Sequence, residues 1–218
     1  MASVCSFNSF SADQITFSEL RKNKLGGKAV YLNSSNGSKI LVQLPPIRAP
    51  FGLSEFTDAN TGKVSYSLDL SLDDPTIQQA FRDLDERVVT YVAENSQAFL
   101  GKPYKIDVIR EALYKPIVKP SNGDYAPTMK LKVPTGRNGE FLPEAYDHTR
   151  NTVPLDTLDK GSQVHTIIDI NQIWFIDNKF GVSIRLQQVM KTAPTSLKGF
   201  AFAVAAEDDA EIDVPDDE

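Results

Sequence analysis

Apolar and polar residues alternate along several stretches of this chain, and each such stretch predicts a strand with one buried face. In TGKVSYSLDLSL (61–72), Val64, Tyr66, Leu68, Leu70 and Leu72 fall on one face, with Ser65, Ser67, Asp69 and Ser71 on the other. In YAPTMKLKVP (125–134), Met129, Leu131 and Val133 alternate with Lys130 and Lys132. SKILVQL (38–44) reads as a strand after a turn at Asn36-Gly37. QVHTIIDINQIWFI (163–176) and VSIRLQQVMK (182–191), joined by DNKFG (177–181), read as a long hairpin.

The period changes once. Asp73-Asp74-Pro75 offers a carboxylate cap and a proline for a first helical turn. Ile77, Phe81, Leu84, Val88, Tyr91 and Val92 then recur at three- and four-residue spacing, which predicts one helix ending before Gly101. Its other face carries charges of both signs, so the apolar stripe is expected to pack on the sheet. PPIRAPFG (45–52) holds three prolines and a glycine and is expected to lack regular structure. YKIDVIREALYKPIVKP (104–120) reads as extended or mixed, SNGD (121–124) as a turn, and 135–161 as a long loop. The sum is a mainly β fold with one long helix (α+β). The best fit is an OB-fold-like barrel with insertions, with a jelly roll or sandwich as the alternative. Residues 1–35 are expected to form an N-terminal extension, 36–200 the folded domain, and 201–218 a disordered acidic tail.

Charge sharpens this division. The chain carries 23 basic and 29 acidic residues, and eight of the acids lie in EDDAEIDVPDDE (207–218), which has no base. The rest of the chain is therefore about +2 and the tail −8. A block of like charge repels itself and serves as an interaction tail or a solubility tail. No run of about 18 apolar residues is present, so no membrane-spanning helix is expected. With no signal-peptide pattern and Cys5 as the one cysteine, an intracellular protein without disulfides is expected. The sequons at Asn33 and Asn36 then read as chance.

Catalytic patterns are missing. His148 and His165 have no metal-ligand spacing, and no HExxH or CxxC occurs, so neither metal nor cofactor is expected. Gly26-Gly27-Lys28 lacks the earlier glycine of a phosphate loop, Lys22 standing in its place, and reads as a turn. Asp83-Leu84-Asp85-Glu86, beside Arg82 and Arg87, reads as a solvated helix face. An enzyme is not expected.

Basic residues do interleave with aromatics. Arg48 and Phe51 stand in PPIRAPFG, and Lys63 precedes the strand that carries Tyr66. Lys102, Tyr104 and Lys105 follow the helix, then Tyr114, Lys115 and Lys119, then Tyr125 before Lys130 and Lys132. Arg137 lies in the next loop, Phe180 in the hairpin turn and Arg185 on the final strand. Cations neutralise phosphates and rings stack on unpaired bases, so this mixture suits a single-stranded nucleic acid. The candidate binding set is Arg48, Phe51, Lys63, Lys102, Lys105, Tyr114, Lys115, Tyr125, Lys130, Lys132, Arg137, Phe180 and Arg185. Tyr66 shares its face with four apolar residues, and Trp174 falls in register with Val164, Ile168, Ile170 and Ile176, so both read as core.

LPPIRAPFGLSEF (44–56), the strand and helix after it, and WFIDNKFGVSIRLQQV (174–189) together resemble the OB-fold single-stranded DNA-binding proteins of large nucleocytoplasmic DNA viruses, of algal and giant virus type. The resemblance spans residues 38–192. It implies coating of single-stranded DNA, or of RNA, without sequence preference in viral replication, recombination or repair, at a host-nuclear or cytoplasmic replication site. It places Arg48 and the Pro-Phe-Gly turn beside the strand path and leaves a homodimer open. Glu207, Asp208, Asp209, Glu211, Asp213, Asp216, Asp217 and Glu218 would compete with DNA for the groove and, once displaced, engage replication proteins. A jelly-roll virion protein is the main rival, and an acidic chaperone for basic proteins a further one.

Overall fold

In the computed structural model, residues 3–22, 27–121 and 123–193 are described. Gly26, Asn122 and the whole acidic tail lie outside the described residues. The chain opens with β1 (Val4–Ser6), β2 (Thr16–Phe17), β3 (Arg21–Lys22), β4 (Lys28–Asn33) and β5 (Ile40–Gln43). It continues through β6 (Ile47–Ala49), β7 (Leu53–Thr57) and β8 (Val64–Ser71) to three helices, α1 (Pro75–Glu94), α2 (Ser96–Leu100) and α3 (Ile106–Val108). Then follow β9 (Tyr114–Lys115), β10 (Thr128–Val133), β11 (Glu144–Tyr146), β12 (Thr152–Val153), β13 (Ser162–Ile176) and β14 (Lys179–Lys191). The fold is mainly β with one long helix, as the alternation predicts. All fourteen strands join one mixed sheet whose main path runs β1-β5-β13-β14-β10-β8-β7, unclosed among the described residues.

The helix starts where the sequence places it. Asp74 Oδ1 accepts the Thr76 N–H at 2.7 Å, and Pro75 fills the first turn. Phe81, Leu84, Val88 and Val92 enter one core with Leu68 and Leu70 of β8, Met129 and Leu131 of β10, and Ile168 and Leu186 of the hairpin. Burying each such side chain contributes about 1.5–3 kcal/mol. One helix expectation is corrected: Asp85 lies on the inner face, 8% exposed, and not on a solvated one. It follows Leu84 on the buried stripe, where a carboxylate is tolerated because donors from residues 114–118 meet it.

Two loop expectations are also corrected. Ile47–Ala49, inside the proline-rich segment, pairs with β13, Arg48 standing opposite Gln163. The prolines at 45, 46 and 50 flank this strand, so its own N–H groups remain free to bond. Residues 104–120 turn helical at Ile106 and continue as a π turn over Ile109–Leu113 before β9. Within 135–161, β11 pairs with both β12 and β14. Residues 3–33 supply β1–β4 and the buried Val30 and Leu32, so they share the core of the later strands.

The β13–β14 hairpin forms the spine. Asp177 and Asn178 both adopt positive φ, 48° and 62°, the geometry of a two-residue turn whose twist matches the strands it joins. Two bulges interrupt its ladder. Gln187 of β14 is passed over between the Ile167 and Ile168 pairs, and Asn171 of β13 between the Ile170 and Gln172 pairs. A bulge adds one residue and reverses which face the following side chains take. Val164, Ile168 and Ile170 are buried before Asn171, whereas Ile173 and Phe175 are buried after it. Trp174 is thereby turned to the other face.

Candidate nucleic-acid interface

That other face is a groove. Register fixes its rows, because side chains opposite one another on neighbouring strands share a face. In one row Ser67 of β8, Lys132 of β10, Arg185 of β14 and Asp169 of β13 stand side by side. In a second row Tyr31 of β4, Gln172 and Ser183 are partners. In a third Arg21 of β3, Ala29 of β4, Trp174 and Gly181 follow one another. Lys115 of β9 pairs beside Gly181 and closes this row. Together these strands surround a groove of about 910 Å³.

Eight cations line it: Arg21, Lys22, Lys28, Lys115, Lys119, Lys130, Lys132 and Arg185. Among the described residues no carboxylate lines it. Tyr31, Phe56, Tyr66 and Trp174 supply accessible rings, and Phe175 a buried one; Phe56 is 65% and Tyr31 38% exposed. The Arg21 guanidinium lies 5.6 Å from the centroid of the Tyr31 ring. Tyr66 meets Phe141 edge-on at 4.9 Å, and its hydroxyl bonds to Glu55, which raises its pKa. Trp174 lies over Gly181, where a methyl group would meet its Cζ2 at 2.9 Å and the Lys115 carbonyl oxygen at 3.0 Å.

The cations crowd one another. Desolvation first, then Arg185 and Lys63, hold the Lys132 ammonium below the ordinary lysine pKa. Desolvation and Lys130 do the same to Lys119. Lys130 has one acidic neighbour, Asp69 Oδ2 at 3.7 Å. Asp169 is buried beside Arg185, and burial raises its pKa against the pull of Lys39, Arg185 and the Asn171 amide. Lysines and arginines held together at mutual cost, and outnumbering the nearby Asp69 and Asp169, form a surface suited to a polyanion.

Of the candidates taken from the sequence, Lys115, Lys130, Lys132 and Arg185 meet in this groove. Arg48, Phe51, Lys63, Lys102, Lys105, Tyr125 and Arg137 are exposed but do not line it. Tyr114 and Phe180 are 6% and 0% exposed, their ring centroids 5.1 Å apart inside the core, so neither offers a face to a base. The core expectation for Trp174 is corrected by the Asn171 bulge, and Tyr66 is half-buried at the groove wall. The sequence reading missed Arg21, Lys22, Lys28 and Tyr31, which lie on the segment set apart as an extension. It also missed Phe56, the last residue of the motif LPPIRAPFGLSEF.

The sequence profile of a family of unknown function, DUF5871, matches residues 57–203. The chain belongs to that family. Tyr66, Lys115, Lys119, Lys130, Lys132, Trp174 and Arg185 fall inside the matched residues; Arg21, Lys22, Lys28, Tyr31 and Phe56 precede them. An uncharacterized protein of Acanthamoeba polyphaga mimivirus is 23% identical over 168 residues, 76% of this chain and 28% of that protein's length. Among solved structures, gp2.5, a single-stranded DNA-binding protein encoded by bacteriophage T7, aligns over 75% of this chain and 91% of its own, with 17% identity and a TM-score of 0.47. The single-stranded DNA-binding protein of bacteriophage Enc34, in complex with ssDNA, aligns over 83% and 97%, with 11% identity and a TM-score of 0.44. Likeness at these scores leaves function to be argued from the groove itself.

Proposed function

We propose that this DUF5871 member binds single-stranded DNA along the groove, without sequence preference, as an OB-type coating protein of viral replication, recombination or repair. The observation that carries the reading is the lining, which among the described residues holds eight cations, four accessible rings and no carboxylate. Cations along a strand release its counterions, and each stacked base adds about 1–3 kcal/mol whatever its identity. A duplex keeps its bases paired and stacked inside, so it can use the cations but not the rings. RNA presents the same phosphates and rings and is an arm of the test. In this reading the acidic tail occupies the groove when no strand is bound and engages basic surfaces of replication proteins when displaced.

Fluorescence anisotropy with oligonucleotides of about 30 nucleotides, single-stranded or duplex, DNA or RNA, tests this. The single strand is expected to bind tightly and the duplex weakly. Trp174→Ala is expected to weaken single-strand binding by about tenfold or more while leaving duplex binding unchanged. Equal affinity for single strand and duplex, or indifference to Trp174→Ala, would remove the rings from the reading. No binding at low salt would end it.

A further inference from the structure

The groove has a wall that no strand ladder explains. Residues 114–119 leave β9 after two paired residues and rejoin a partner only at the Lys119–Thr128 bridge. Lys115, Pro116, Ile117 and Lys119 of this segment all line the groove. The backbone N–H groups of Ile117 and Val118, both buried, need acceptors. They find them behind the wall, in one side chain. Asp85 Oδ1 accepts from Ile117 N at 2.9 Å and Oδ2 from Val118 N at 3.4 Å. Oδ1 also accepts the Tyr114 hydroxyl at 2.5 Å. The Tyr114 ring in turn packs on Phe180, one residue before the Gly181 that seats Trp174.

A carboxylate inside a core is costly, and a leucine would satisfy the helix stripe at that position. What a leucine cannot do is accept three donors at once. We propose that Asp85 is the positioning residue of the groove: from its back, the carboxylate fixes the 114–118 segment and so sets Lys115 and Lys119 at the spacing that a bound strand's phosphates meet. This rests on the single-strand reading of the groove. The titratable groups that act on Asp85 are Tyr114, from β9, and Glu86, its neighbour on α1. Glu86 is itself held by Arg110 at 2.8 Å. Burial raises the Asp85 pKa to about 6 against the three hydrogen bonds that lower it. Burial outweighs those bonds, so the charged carboxylate is held in place at a cost that its three donors offset only in part.

The test is a double-mutant cycle on the full chain, read as affinity for a single-stranded oligonucleotide. Asp85→Asn puts an amide donor against the same N–H groups and is expected to weaken binding by about tenfold. The pair Lys115→Gln and Lys119→Gln is expected to add little on that background, because the lysines are already misplaced. Additive losses overturn the proposal. Should the wild-type chain bind no strand, the proposed function falls, and amide exchange decides the latch alone. Loss of protection at Ile117 and Val118 in Asp85→Asn supports it, and unchanged protection overturns it.

Discussion

Lys132 shows how a single residue can be unfavourable for the fold and favourable for binding. Its charged form is opposed by desolvation and by Arg185 and Lys63, so its pKa is lower folded than unfolded. For a lysine with a lowered folded pKa, the penalty is present at neutral pH, where the charge is fully formed, and is relieved as pH rises through the folded value towards the unfolded one. Lys132→Gln removes the penalty at neutral pH. The expected outcome is a melting temperature raised by about one or two degrees, with single-strand affinity reduced. Calorimetry and anisotropy on the same preparation check both. A lowered melting temperature would mean that the lysine stem contributes packing that outweighs the repulsion. The alternation of Lys130 and Lys132 with Met129 and Leu131 was legible in the sequence because β10 runs without a bulge. Trp174 was not, because its face depends on whether one residue is passed over three positions earlier.

Among the elements, the β13–β14 hairpin is the spine on which the groove is assembled, and small residues decide its shape. The hairpin's existence and the β13 span follow from sequence alternation, but DNKFG (177–181) is shorter as a turn than expected: β14 already begins at Lys179, and the turn is Asp177-Asn178, which tolerate positive φ. The seat for the indole does not follow, because the sequence reads Gly181 as the end of the turn, whereas it lies in β14 without positive φ. Only the assembled groove shows that Trp174 and Lys115 leave no room there for a methyl group. Gly181→Ala is expected to cost about 1–3 kcal/mol of folding stability through this overpacking. It should also shift Trp174 fluorescence, because the ring must move off its seat. Chemical denaturation with tryptophan emission as the probe measures both at once. An unperturbed spectrum with unchanged stability would show that the β9 segment yields instead. The same limit hid Arg21, Lys22 and Lys28, whose strands are short and acquire a place only by pairing along β13 through β4.

For the whole molecule, the net charge of −6 is a poor guide, since the sign of the total is set by residues 207–218 and the charged residues described in the groove lining are all cations. At physiological ionic strength charges farther than about 8 Å from one another are largely screened. A tail that merely adds distant negative charge would therefore leave the groove's behaviour untouched. A tail that occupies the groove would not. Its carboxylates would already neutralise the lysines, and a binding strand would displace the tail instead of starting from bare cations, so fewer ions would be exchanged overall. Binding to a single strand changes the logarithm of affinity by about −0.7 per neutralised phosphate for each unit change in the logarithm of salt concentration. With Lys130 already beside Asp69, engagement of four to six of the lining cations gives a slope of about −3 to −4. That slope is expected for a chain ending at Ala206, measured by anisotropy over a salt series. The full chain is expected to show a shallower slope and weaker affinity at low salt, with the two chains converging as salt rises and dislodges the tail. Equal slopes for the two chains would place the tail outside the groove and leave it the recruiting role alone.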